Sequence, residues 1–106
     1  MNKEIFQLHA GVCKTLSHAK RLEILNILRD AEMSVGDIVR EMDIPKANVS
    51  QHLAVMRNAG ILDTRRDGVT IYYRISNSKV IKACDLMREV LIAHQTHKSR
   101  IMKNLK

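Results

Sequence analysis

At Gly60 the spacing of apolar residues changes. Before it, Val49, Leu53 and Met56 recur every three to four positions; after it, Val69, Ile71, Tyr73 and Ile75 alternate with Thr70, Tyr72 and Arg74. The first spacing seats a helix on a core and the second seats a strand. The chain therefore builds a helix, stops it at a glycine suited to the left-handed conformation, and turns at once into a β-hairpin. Asp67-Gly68 is a favoured pair for the two-residue hairpin loop, with Arg65 and Arg66 at its tip.

The segments before Gly60 keep the helical period. Lys3 to Leu16 places Ile5, Leu8, Val12 and Leu16 on one stripe, with Phe6, His9 and Cys13 beside it. In "SHAKRLEILNILRDAE", Ser17 is an expected N-cap. Leu22, Ile24, Leu25, Ile27 and Leu28 spread over more than one face, so this helix should be the central, most buried one. In "MSVGDIVREMDI", Ser34 and Asp37 resemble a capping box ahead of Val35, Ile38, Val39 and Met42. Pro45 in "DIPKAN" suits the position at or just before the next helix, because it has no backbone donor to lose. Two amphipathic helices joined by so short a turn make a helix-turn-helix. From about Asn77 the helical period returns, with Val80, Cys84, Met87 and Leu91 forming a heptad-like seam and a basic tail, "HQTHKSRIMKNLK", expected to fray.

The expected fold is mainly α with a small β-hairpin: a winged helix-turn-helix of five helices and a two-stranded wing, in the order α-α-α-α-β-β-α. With 106 residues the chain suits one domain, residues 1–106, since either half alone would lack a core. Only 3% of residues are aromatic, so Leu, Ile, Val and Met must fill the interior. No apolar run is long enough to span a membrane, no secretory signal opens the chain, and Cys13 and Cys84 are too few for a disulfide framework. A cytoplasmic protein is expected.

A formal net charge of +7 favours a polyanionic partner, nucleic acid first and an anionic membrane second. The helix between Pro45 and Gly60 says which. Its N-terminal turns carry Lys46, Asn48, Ser50, Gln51 and His52. A helix about 10–12 Å across fits the DNA major groove, and its N-terminal residues are the ones that meet base edges. Gln51 and Asn48 can make the paired donor-acceptor contact that recognises adenine; Lys46 can reach guanine or a phosphate, and Ser50 either base or backbone. Taken alone, such a polar face is an ordinary solvated surface; followed by an Arg-bearing hairpin it is a DNA reader. A winged helix serving as a protein-interaction module is the alternative. An enzyme is not expected, because no nucleophile-base set, phosphate-cradling glycine loop or paired carboxylates stand out.

"CKTLSHAKRLEILNILRD", "EMSVGDIVREM", "NVSQHLAVMRNAGIL" and "TRRDGVTIYYRI" resemble the ArsR/SmtB family of winged-helix transcriptional repressors, over roughly residues 10 to 92. The resemblance implies a homodimer, joined through its first and last helices, that leaves an inverted-repeat double-stranded DNA operator when an inducer binds or a thiol reacts. Carried over by position, the recognition residues are Lys46, Asn48, Ser50, Gln51 and His52. The wing runs from Arg65 to Thr70, with Arg65, Arg66 and Thr70 as its DNA contacts. Pro45 departs from the pattern, standing where the family more often has a serine cap.

The signal sensed is less legible. Thiolate-using relatives resemble a Cys-Val-Cys segment where this chain has Ser34-Val35-Gly36, and the other known metal set finds no match near Ser76, Ser78, Glu89 and Ile92. The sulfide- and oxidant-responsive branch, closest in "EMSVGDI", "SQHLA" and "TIYYRI", pairs two cysteines where this chain has Asn26 and Ile92. Two readings stay open for the remaining candidates. Cys13 and Cys84 are either packed as small hydrophobes or form a thiol pair open to reactive sulfur, oxidants or a soft metal, with His9 as a co-ligand. His94 and His97, three apart, are either exposed tail residues or a metal-ion site.

Overall fold

The computed structural model describes residues 2–104. Their element order is α1 (Lys3–Thr15), α2 (Ala19–Ile27), β1 (Met33–Ser34), α3 (Val35–Glu41), α4 (Lys46–Asn58), β2 (Leu62–Asp67), β3 (Thr70–Ile75) and α5 (Ser78–Asn104). This is a winged helix-turn-helix with one strand more than its sequence suggests. Met33 and Ser34 pair antiparallel with Tyr73 and Tyr72, so the sheet is three-stranded, in the order β1-β3-β2. Two residues are too few to show a period of two, which is why β1 cannot be read from the pattern. It fastens the chain entering α3 to the wing.

The core collects one face of each central element. Ile24 and Leu25 of α2, Ile38 of α3 and Val49, Leu53 and Met56 of α4 are all fully buried, and Leu62, Tyr73 and Ile81 close over them. Each such side chain stabilises the fold by about 1.5–3 kcal/mol relative to exposure. The wide apolar arc of α2 does place it at the centre.

The helix ends show where local chemistry decided. Ser34 accepts a hydrogen bond from the Asp37 backbone N–H at 3.2 Å, as a capping box requires. The Asp37 carboxylate, however, pairs with Arg40 instead of reaching back. Ser17 does not cap α2: its hydroxyl donates to the Lys14 carbonyl at 2.7 Å, closing α1, and His18 takes the N-cap position without a side-chain bond. At the end of α4, Gly60 has φ +78°, its N–H donates to Arg57, and the Ile61 N–H donates to Met56. This pair of bonds is the Schellman stop, with buried Ile61 packing over buried Met56.

The hairpin is displaced by one residue from expectation. Asp67 pairs with Thr70, so the loop is Gly68-Val69, and only Gly68 has a positive φ, +63°. A positive φ at the first loop position alone is the II′ pattern, which needs glycine there. Val69 consequently leaves the inward face on which its alternation put it and is fully exposed. Arg65 and Arg66 are not at the tip; they lie in β2 opposite Tyr72 and Ile71.

The last helix continues through the basic tail to Asn104 instead of fraying, and is about 40 Å long at 1.5 Å per residue. Its seam divides. Val80 and Cys84 rest on the core, whereas Leu86, Met87, Val90, Leu91 and Ile92 are 56–64% exposed. Val12 of α1 and Leu16, just past its end, lean on the core while Ile5, Phe6 and Leu8 face outward. The radius of gyration, 16.8 Å, exceeds the roughly 13 Å of a compact domain this size because these two helices project. Where α5 meets the body, Arg29 grips Asp85 with two bonds of 2.7 Å, and Arg88 adds a third at 3.2 Å.

Candidate nucleic-acid interface

Helix α4 is divided lengthwise. Val49, Leu53 and Met56 have no exposure, while Lys46, Asn48, Ser50 and Gln51 are exposed, and none of these four side chains makes a hydrogen bond or ion pair among the described residues. The residues named from sequence therefore share an open face, anchored from behind. No side chain caps the helix: Pro45 supplies only its carbonyl, to Asn48 and Val49, and the first turn contains no acidic residue. The positive end of the helix dipole, with its free N–H groups, is left to an outside anion.

His52 differs from the other four. It is half-buried and turned toward α2, where Arg21 Nε donates to His52 Nδ1 at 3.1 Å and the His18 ring lies 6.3 Å away. Accepting at Nδ1 makes it the neutral tautomer with its proton on Nε2. Burial first, then the charges of Arg21 and His18, hold its pKa below the ordinary histidine value. Arg21 also donates from its Nη1 to the Thr15 carbonyl at 2.9 Å, so one guanidinium joins the last residue of α1 to α4.

The three wing candidates part company. Arg65 is engaged: Nη2 reaches Glu32 Oε1 at 2.5 Å, Nε lies 3.1 and 3.2 Å from the two carboxylate oxygens, and the guanidinium stands 4.5 Å over the Tyr72 ring. That hydrogen bond holds the Glu32 carboxyl below the usual carboxylate range. Arg66 is exposed, without an ion pair among the described residues, and Thr70 is half-buried at the base of the turn. Sequence reasoning missed Arg21 and Glu32. Nothing in a single sequence marks two residues more than thirty apart as partners.

The sensor candidates are not brought together into a metal centre: among the described residues no group of three or more His, Cys, Asp or Glu could hold an ion. Cys13 is exposed, Cys84 is half-buried against the core, and His94 and His97 are exposed on α5. No helix among the described residues is long and apolar enough to cross a membrane.

Comparison with known proteins places this geometry. Residues 18–64 match the family model described as bacterial regulatory protein, arsR family. The chain is 38% identical over 84 residues, 79% of its length and 72% of the relative's, to the biofilm growth-associated repressor of Agrobacterium fabrum. The crystal structure of Rv0081 from Mycobacterium tuberculosis superposes with a TM-score of 0.78 at 32% identity, covering 89% of this chain and 95% of that one. The solution structure of the homodimeric winged helix-turn-helix DNA-binding domain of Mb0332 from Mycobacterium bovis has a TM-score of 0.78 at 28% identity, covering 87% and 85%. With helix-turn-helix and wing in one chain, and a relative this similar along most of its length, the protein is a member of the arsR family of bacterial transcriptional regulators.

Proposed function

We propose that the protein is a homodimeric, cytoplasmic repressor that reads an inverted-repeat DNA operator through α4. The observation that carries this reading is the uncapped N-terminal end of α4, where Lys46, Asn48, Ser50 and Gln51 stand exposed and unengaged on a helix whose opposite face is fully buried. Lys46 and the free N–H groups of the first turn take phosphate, while Asn48 and Gln51 take base edges and Ser50 either. His52 turns inward but keeps its Nε2–H for a phosphate. Arg66 is the wing's free cation, and Thr70 shapes the turn beside it. The apolar residues left uncovered on α1 and the outer half of α5 supply the dimer surface. A twofold pair then sets two recognition helices about 34 Å apart, one DNA turn.

The test is titration of the protein against the duplex upstream of its own coding region and against random duplex, between 50 and 200 mM salt. Tighter binding to one inverted repeat, falling about a thousandfold over that range for six or so phosphates, is expected. Absence of binding to any duplex at low salt would instead favour a protein-interaction module. For release from the operator, Cys13 and Cys84 are the thiols on which an effector of reactive-sulfur, oxidant or soft-metal class can act, and His94 and His97 the alternative metal ligands. Release that persists in the Cys13→Ser/Cys84→Ser double variant excludes the thiols.

A further inference from the structure

The outer face of the wing sheet sets its arginines against carboxylates. Pairing opposite residues across β2 and β3 puts Arg65 with Tyr72 and Asp63 with Arg74, on the side away from buried Tyr73. Asp63 lies 3.9 Å from Arg74, and Glu32, just ahead of β1, reaches over β3 to Arg65. Two guanidinium groups thus face two carboxylates, and Asp67, on the same side two residues along β2, adds a third negative charge near Arg65. The Arg65 fork is filled by Glu32 from one side and by the Tyr72 ring from another, the arrangement with which arginine binds a planar anion. Arg66 points to the other face and is unpaired among the described residues.

We propose that Glu32 occupies Arg65 in place of a DNA phosphate, so that the wing presents one free cation where its sequence has two, and sequence-independent binding is thereby weakened. The inference rests on the wing lying against the DNA backbone, as proposed above. A carboxylate in this position lowers affinity for all duplexes alike. The share of binding that depends on base contacts at α4 rises as a consequence, because phosphate contacts carry no sequence information. Glu32 is in this sense a specificity-determining residue that touches no base.

The experiment compares random-duplex binding of the wild type, Glu32→Gln, Glu32→Ala and the Glu32→Gln/Arg65→Ala double variant across 50–200 mM salt, with thermal unfolding of each as a control. Releasing Arg65 to one more phosphate should steepen the slope of log affinity against log salt by about 0.9 per subunit engaged, so the gain over wild type shrinks about 3.5-fold across that range for one subunit and about 12-fold for two. Both single variants should show this. The double variant should return to the wild-type slope, because the released cation is gone. An unchanged slope in both single variants overturns the proposal, as does a steeper slope that survives in the double variant, which would reflect only the lost negative charge. Weaker binding by correctly folded Glu32→Gln also overturns it, and makes Glu32 a support for the wing. If the wild type binds no duplex at all, the DNA-binding reading fails first, and that result is seen before any variant is compared.

Discussion

Gln51 and Leu53 lie two residues apart on α4 and should fail in opposite ways. Leu53 is fully buried. Replacing it with alanine removes three carbons, worth about 2.4 kcal/mol at roughly 0.8 each, and the cavity left behind brings the loss to about 3–4 kcal/mol. That is a large fraction of the roughly 5–15 kcal/mol that holds a domain together. Gln51 is exposed and its side chain makes no hydrogen bond among the described residues, so its replacement by alanine should move stability by no more than about 0.5 kcal/mol. Its loss should appear in base discrimination instead, at about 1–3 kcal/mol, or roughly 5- to 160-fold at one base pair of each half-site. Urea unfolding followed by circular dichroism, at one fixed protein concentration, reads the first quantity. Anisotropy titration against the operator and its single-base variants reads the second. Leu53→Ala, assayed where it is folded, should keep the wild-type base preference. The reasoning is refuted if Gln51→Ala unfolds as readily as Leu53→Ala, or if it distinguishes operator from random duplex as well as the wild type does.

Gly60→Ala should cost about 1–2 kcal/mol from backbone conformation alone, since φ is +78° and an added Cβ meets nothing within 4 Å; Gly60→Asn should lose less, as chemical denaturation of the pair will show. The lowered pKa of His52 means that the unfolded chain binds its proton more readily than the folded one. Its contribution to stability is therefore complete above the ordinary histidine pKa near 6.5 and declines as pH falls from there toward the depressed folded value. His52→Asn, which keeps an acceptor for Arg21 and cannot titrate, should unfold with a shallower pH dependence across that window. Val90→Asp, at a position 64% exposed in the single chain, should leave the subunit folded but shift sedimentation toward monomer and abolish tight operator binding.

The parts legible in sequence were those that depend on a residue type at a fixed spacing. Val49, Leu53 and Met56 define the buried face of α4 because no other surface of that helix can be dry, and Gly60 ends it because the Schellman turn requires a left-handed residue. The hairpin was legible, but its loop was not. Asp67-Gly68 and Gly68-Val69 both satisfy turn chemistry, and the pairing of Asp67 with Thr70 is what makes Gly68-Val69 the loop. Exposed and half-buried polar groups were harder. Lys46, Asn48, Ser50 and Gln51 follow from the phase of the apolar stripe, but the same phase puts His52 at the edge, where only Arg21 from another helix decides its direction. Arg65 reads as a free cation until the short β1 strand brings Glu32 within reach. Local patterns fix faces; they do not name the partners that arrive from thirty residues away.

The shared guanidinium of Arg21 has a mechanical consequence. One end is tied to the final carbonyl of α1 and the other to the imidazole of α4, and neither bond has slack at 2.9 and 3.1 Å. A tilt of α1 that carries Thr15 away stretches one of these bonds, and the arginine must turn to keep both partners. The end of α1 and the imidazole on α4 are thus joined through a single side chain.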